Sequence, residues 1–427
     1  MITPRERALL ALYDVFYGGA YSNMAVKNQL RGDISPVDKG FITQLVYGTV
    51  RYKLTIDYII EKNSDIKLKK MSKFVLLILE MGIYQLYYLD KVPESAAVNE
   101  SVKLSKRYAK RSSGFINAVL RAAIKNKDLL EFPKDRVKNL SLKYSFTEDM
   151  VKKFLELDFC EELLKSLNRE PRTTIRINTL KCEELNIENA ELYPSPLYKY
   201  AAYVKGIDIA QSREYQDGKF IVQDVAAMMP ALALSPNPDE ICVDVCAAPG
   251  GKTTHMAELM KNRGKIYAFD IHDHKIELIN KNAARMGISI ISAKCHNSLE
   301  LYEPLVGKAD KVLADVPCSG IGIISGKPDI KWNKDDVGKL PEIQYKILEN
   351  AAKYLKIGGE LVYSTCTLYK EENECVVLKF LKENENFELV SIKIPSPIIY
   401  KNSGYVTFYP NISDTDGFFI AKIKRCR

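Results

Sequence analysis

The sequence predicts a multidomain protein whose second half is an α/β domain on a doubly wound, Rossmann-like parallel sheet. Three observations carry this expectation. From Ile241 onward, short apolar runs alternate with amphipathic stretches, the pattern of successive strand–helix units. The stretch Asp244 to Thr254, rich in small residues and glycine, joins the first of these strands to its helix. Before residue 130, by contrast, the apolar spacing is helical throughout. The fold class is therefore an all-α domain over 1–130, a linker over 131–147, a small α+β module over 148–220 and a Rossmann-like α/β domain over 221–427.

In the helical part, Ser35-Pro36 is a start signal, because serine can cap and proline suits the first turn. Helical spacing then runs from Phe41 through Leu45, Val46 and Val50. Met71 to Leu89 is a second apolar helix at the centre of a bundle, in which Gly82 permits close packing. Pro93 opens a third helix, which ends in a basic cluster: Lys103, Lys106, Arg107, Lys110 and Arg111. Phe115 to Ile124 closes the bundle. Thr147 starts a further helix, and Pro171 to Leu180 alternates as a strand.

In the α/β part, strands are expected at 241–246, 265–270, 288–293, 311–314 and 360–364, with more strands near Phe387, Val406 and Phe418 as an antiparallel edge. Helices are expected at 252–261, 274–286, 341–355 and 373–382.

Composition narrows the class. Hydrophobic residues make up 46% and charged residues 27%, as in a folded, soluble chain. The longest apolar run, Phe74 to Leu79, is far short of the roughly 20 residues of a membrane span, and no secretory n-region is present, so a cytoplasmic protein is expected. Nine cysteines in 427 residues suggest no disulfide framework, and without Cys-x-x-Cys or His-Glu-x-x-His no metal site is expected. No segment calls for an obligate protein partner. The net charge of +8 is concentrated in residues 1–140, where 24 Lys+Arg face 14 Asp+Glu; the rest of the chain sums to −2. A polyanion docking on the N-terminal part is expected, the plainer alternative being solvated helix faces.

The chemistry sits at strand ends. Asp315 should end the strand Val312-Leu313-Ala314, because Pro317 has no N–H for a central ladder. This leaves Asp315 and Cys318 at a carboxyl edge, where open α/β sheets bind ligands. Cys366 has the same address after Glu360 to Thr365. In the loop Cys246-Ala247-Ala248-Pro249-Gly250-Gly251-Lys252, small residues let backbone approach a ligand, and a helix N-terminus follows. Asp270, at the next strand end, can accept from ribose hydroxyls, so a nucleoside-containing cofactor is expected. Gly251-Lys252-Thr253 is also similar to the end of a Walker loop, but the required first glycine is Cys246 here, which disfavours an NTPase.

Two thiols and a carboxylate beside such a cofactor suit one reaction. C5 of cytosine is a poor nucleophile until a thiolate adds to C6; it can then attack S-adenosylmethionine. Asp315 would stabilise the base near N3 and N4, and the second thiol could assist release. The base must leave its stack to be reached. The other cysteines (160, 182, 242, 295, 375 and 426) read as small hydrophobes, and no histidine has an evident role. A non-catalytic RNA-binding assembly factor and a thiol-disulfide enzyme are the competing classes.

These residues resemble the Nop2/Sun family of RNA cytosine-C5 methyltransferases. The matching stretches are the 246–252 loop, Asp315-Val-Pro-Cys318-Ser-Gly, Ser364-Thr-Cys366-Thr, Lys327-Pro-Asp-Ile-Lys-Trp332, Asp416-Gly-Phe-Phe419 and Gln223-Asp224. Leu45-Val-Tyr-Gly-Thr-Val-Arg51, Gly82-Ile-Tyr-Gln-Leu and Phe115-Ile-Asn-Ala-Val-Leu-Arg121 resemble the NusB-type RNA-binding domain of its RsmB/Sun-type branch. The resemblance implies Cys366 as nucleophile on C6, Cys318 in product release and Asp315 holding the cytosine and bordering the cofactor. It implies the 246–252 loop around the methionine part of S-adenosyl-L-methionine, Asp270 at its ribose and small-subunit rRNA as substrate. Where the family has an Asp near the adenine, this chain has Asn297, and where Ser-Gly-Thr-Gly is frequent it has Ser319-Gly-Ile321-Gly.

Overall fold

A computed structural model describes residues 2–332, 337–393 and 404–427. It divides into two compact units: residues 1–169 with 324–333, and residues 170–323 with 334–427.

The first unit is helical. Ser35 caps the helix Pro36–Arg51 as expected, its hydroxyl accepting from the Asp38 N–H at 3.1 Å. The helix Lys73–Tyr88 is the most buried, with Val75, Leu77 to Leu79, Met81 and Ile83 all in the core. Gly82 lies against the two helices that follow; a Cβ there would stand 2.9 Å from Leu120 and 3.1 Å from Ser101. The expected linker instead contains the helix Arg136–Tyr144. It is held by the Thr55 hydroxyl donating to Leu142 O at 2.6 Å and by the Ser145 hydroxyl accepting from Leu54 N at 2.9 Å. The helices Glu148–Phe154 and Cys160–Leu167 also cluster with this unit, so the division falls at 169/170 and not at 147/148. The physical reason is burial: Leu140, Phe146, Val151, Phe154 and Leu163 are all in its interior.

The 324–333 segment belongs to this unit by packing. Lys331 is buried, its ammonium donating to Arg51 O (3.0 Å), Ser145 O (3.0 Å) and Asn168 Oδ1 (2.5 Å), and the Trp332 indole donates to Val50 O at 2.8 Å. The stretch Lys327 to Trp332 is thus a structural anchor within the helical unit.

The second unit has two sheets. The smaller is antiparallel, β1 (Thr174–Ile177), β2 (Glu191–Pro194), β3 (Ala201–Lys205) and β4 (Phe220–Val222), in the order β2-β3-β1-β4. The larger contains β5 (Ile241–Asp244), β6 (Lys265–Asp270), β7 (Ile291–Cys295), β8 (Ala309–Asp315), β9 (Leu355–Thr365), β10 (Phe387–Leu389), β11 (Tyr405–Phe408) and β12 (Phe418–Arg425). Its order is β10-β12-β9-β8-β5-β6-β7, with β11 also paired to β12. Strands β5 to β9 are parallel, and the β10, β11 and β12 pairings are antiparallel, which is the expected doubly wound sheet with an antiparallel edge. The order reverses between β5 and β8, which opens the ligand crevice of such sheets at their carboxyl ends.

Helices cover both faces. Val225–Leu234 and Gly251–Leu259 pack on one, Leu340–Tyr354 and Glu374–Glu383 on the other. The helix Val225–Leu234 shows no helical period in the sequence, because it is apolar on all sides and holds Pro230. The third parallel strand begins at Ile291 and not at Ile288; Ile288 and Ile290 are buried in its approach.

Candidate active site

Asp315 is the last residue of β8, and Cys366 follows the last residue of the neighbouring β9. The parallel register sets Asp315 beside Ser364. The Ser364 hydroxyl donates to Asp315 Oδ1 at 2.8 Å, and the Lys252 ammonium donates to Oδ2 at 2.7 Å. Cys318, three residues past the strand, turns back so that its Sγ lies 3.2 Å from Cys366 Sγ. Four expected site residues from three separate stretches, Lys252, Asp315, Cys318 and Cys366, therefore share one place.

The Cys318 thiol is pushed well up by its hydrogen bond with Cys366, by burial and by the charges of Cys366 and Glu372, so it stays protonated and can donate S–H. Burial pulls the Lys252 ammonium down, but Asp315 and Cys366 more than offset this, and it remains a cation next to both groups. Lys252 also stands 5.0 Å above the Phe418 ring, which gives the Asp416-Gly-Phe-Phe stretch a place in the site.

The 246–252 loop leaves β5 at Asp244. Asp244 is fully buried; its carboxyl accepts from the Thr253 hydroxyl at 2.7 Å and is pushed up to about 7 by burial and, in smaller part, by the Asp315 charge. Ala247 N donates to Phe269 O at 2.8 Å, the Ala248–Pro249 peptide is cis, and Gly250 takes φ 101° to start the helix at Gly251. Asp270 ends β6, its Oδ1 accepting from His272 N at 3.2 Å with Lys275 3.6 Å away. Asn297 lies just past β7, its Oδ1 accepting from Leu299 N at 3.1 Å. The carboxyl ends of β5, β6 and β8 thus present a small-residue loop and two carboxylates, a donor set that fits a nucleoside with a cationic group.

One residue that sequence reasoning missed is Arg176 on β1. It is fully buried, pairing with Glu258 at 2.8 Å and donating to Gly251 O at 2.8 Å, to Thr254 Oγ1 at 3.0 Å and to Gln223. It pins the first turn of the helix after the 246–252 loop. Its only signal was a charge in the middle of an alternating strand. Gln223-Asp224 also finds its reason here, since Asp224 Oδ1 caps the next helix and accepts from Asp416 N at 3.2 Å.

In the helical unit, Lys103, Lys106, Arg107, Lys110 and Arg111 are all exposed around one helix end. Lys103 pairs with Glu100 at 2.6 Å and Arg107 with Glu6 at 2.7 Å. Among the described residues no group of acids, histidines and cysteines could hold a metal, and no helix is long and apolar enough to cross a membrane.

Five parallel strands with a nucleoside-type loop after the first, and thiols after the fourth and fifth, define an α/β methyltransferase. A family described as 16S rRNA methyltransferase RsmB/F matches residues 231–424, and the NusB family matches residues 2–125. The chain is 35% identical to a Bacillus subtilis protein named "Probable ribosomal RNA small subunit methyltransferase B", covering 99% of this chain and 98% of that one. It is 35% identical over 67% of its length to the Homo sapiens 28S rRNA (cytosine(4447)-C(5))-methyltransferase, of which it spans 39%. The crystal structure of PH0851 superposes with a TM-score of 0.80 at 27% identity, over 100% of this chain and 99% of that one. A methyltransferase homolog protein from Pyrococcus horikoshii does so at 0.60 and 30%, over 69% of this chain and 100% of that one. The chain belongs to the RsmB/F family of methyltransferases, with a NusB-like domain at its N-terminus.

Proposed function

We propose that this chain works in the cytoplasm and transfers a methyl group from S-adenosyl-L-methionine to C5 of one cytosine in small-subunit rRNA, cytosine 967. The observation that carries it is the pair of sulfurs 3.2 Å apart, next to a carboxylate that is itself bound to the cofactor-loop lysine. Cys366 adds to C6, forming an S–C6 bond and making C5 nucleophilic. Asp315, held by Lys252 and Ser364, accepts from the N4 amino group and, in its acid form, gives N3 a proton as the S–C6 bond forms, so the adduct is not left as an anion. The cofactor, when bound, supplies an electrophilic methyl group; Cys246 to Lys252 would hold its methionine part, Asp270 its ribose and Asn297 its adenine. As the S–C6 bond then breaks, N3 returns its proton to Asp315, Cys318 gives its thiol proton to the leaving Cys366 sulfur 3.2 Å away, and the Cys318 thiolate so formed takes the C5 proton. Lys252 also places a positive charge where it favours the Cys366 thiolate. Lys103, Lys106, Arg107, Lys110 and Arg111 would contact rRNA phosphates.

The test uses labelled S-adenosylmethionine and unmodified small-subunit rRNA. Wild type is expected to transfer label, Cys366→Ala to be inactive, and Cys318→Ala to accumulate an RNA–protein adduct on a denaturing gel. Normal transfer by both cysteine variants would end the covalent reading.

A further inference from the structure

Shortly after Cys366 the chain runs Lys370-Glu371-Glu372-Asn373-Glu374. Glu372 and Asn373 are neighbours, both 1% exposed, and each faces a different cysteine loop. Glu372 Oε2 accepts from Ser319 N at 2.9 Å and from Gln344 Nε2 at 2.9 Å, and the same Gln344 nitrogen donates to Pro317 O at 2.9 Å. The peptide groups on both sides of Cys318 are therefore fixed by one carboxylate–amide pair. Asn373 holds the residues on both sides of the other thiol, one through a side chain and one through backbone. Its Oδ1 accepts from Thr365 Oγ1 at 2.5 Å and its Nδ2 donates to Thr367 O at 3.1 Å, the residues flanking Cys366. Tyr363 OH donates to Glu372 O at 2.6 Å, and a Ser319–Thr367 hydroxyl contact of 2.7 Å joins the two loops.

We propose that Glu372 and Asn373 are positioning residues with separate tasks: Glu372, through Gln344, sets the Cys318 loop, and Asn373 sets the Cys366 strand end. This deepens the proposed reaction and rests on it. The two side chains leave one stretch of backbone for the two cysteine segments, so a single buried frame holds both sulfurs. Buried hydrogen bonds to the residues on both sides of a reacting group fix its direction better than packing alone, and groups that act in turn on one base need this precision.

The experiment compares Glu372→Ala and Asn373→Ala with Cys318→Ala and Cys366→Ala in the full chain. It uses labelled S-adenosylmethionine and small-subunit rRNA, with S-adenosylhomocysteine affinity as the check on folding. Glu372→Ala is expected to form the RNA adduct but accumulate it, with turnover down about 100-fold. Asn373→Ala is expected to lose adduct and turnover together. Glu372→Gln keeps an oxygen for Ser319 N and Gln344 and is expected to recover turnover to within about tenfold of wild type. If Glu372→Ala fails to bind S-adenosylhomocysteine, Glu372→Asp, one methylene short, takes its place with the same expectation. The proposal is overturned if the two alanine variants block the same step, or if both turn over normally, while the cysteine variants still separate adduct formation from release. If the cysteine variants themselves show no such separation, the two-thiol reading fails and this proposal fails with it.

Discussion

Gly322 offers the sharpest test of how the site is held. Its N–H donates to Cys366 O at 2.9 Å, and its carbonyl accepts from Gly417 N at 2.9 Å. Three chain segments meet there: the loop after Cys318, the end of β9 and the turn before β12. A Cβ on Gly322 would lie 2.1 Å from Gly417 O and 2.8 Å from Cys366 O, where real Cβ atoms stay beyond 3.0 Å. The obstructing atoms are backbone, so no rotamer change relieves them. In Gly322→Ala the segments must part by about 1 Å, and a displacement of that size in a reacting group costs about 100-fold in rate. Overpacking of this kind costs about 1–3 kcal/mol of stability. Single-turnover transfer of labelled methyl groups gives the rate, and calorimetry with S-adenosylhomocysteine gives the affinity. The rate is expected to fall by about two orders of magnitude with affinity within about twofold, because the 246–252 loop and Asp270, proposed to hold the cofactor, hang from β5 and β6. Turnover by Gly322→Ala within about threefold of wild type would refute the reasoning.

Two further predictions concern the cofactor side. Arg176→Met leaves Glu258 buried without its partner, so a loss of about 3–5 kcal/mol is expected in denaturant titration, and the Arg176→Met/Glu258→Met pair should recover most of it. The double variant is still expected to bind S-adenosylhomocysteine more weakly than wild type, because Gly251 O and Thr254 have lost their donor; unchanged affinity would remove Arg176 from the support of the loop. Asp244 is expected to give stability a pH dependence. Its folded-state value of about 7 lies above its ordinary 3.8, so the native state holds the proton more tightly than the unfolded chain. Stability is then greatest below the ordinary value and declines as pH rises towards 7, by roughly 4 kcal/mol at most. Asp244→Asn should flatten this decline, which melting curves between pH 4 and pH 8 would reveal as a smaller shift than in wild type.

The legible parts of this protein are those whose signal is local. Asp315-Val-Pro-Cys ends a strand by its own covalent chemistry, since proline cannot pair, so the carboxylate and thiol could be placed at a sheet edge before any fold was known. Ser35-Pro36 announced its helix in the same way. The helix Val225–Leu234 was illegible because a helix buried on every side has no polar face to set a period. The helix Arg136–Tyr144 is hard to read from sequence because its buried face is narrow: of its residues only Leu140 and Ser141 are buried. Ile321, an unexplained departure from Ser-Gly-Thr-Gly, is 3% exposed, so an apolar side chain suits its position.

The sequence alone determined most of the α/β strands and helices and the strand ends at which Asp315, Cys318 and Cys366 fall, because hydrophobic period and turn chemistry act over a few residues. It did not determine which distant groups meet. Cys318 and Cys366 are 48 residues apart, Lys252 and Asp315 63, and Arg176 and Glu258 82. Their contacts follow from the strand order, with β8 set between β5 and β9, and from the parallel register that brings Asp315 beside Ser364. Burial then decided the rest. A charge such as Arg176 or Glu372 is stable in the interior only where the folded backbone supplies its partners, and no local pattern records where those partners will be.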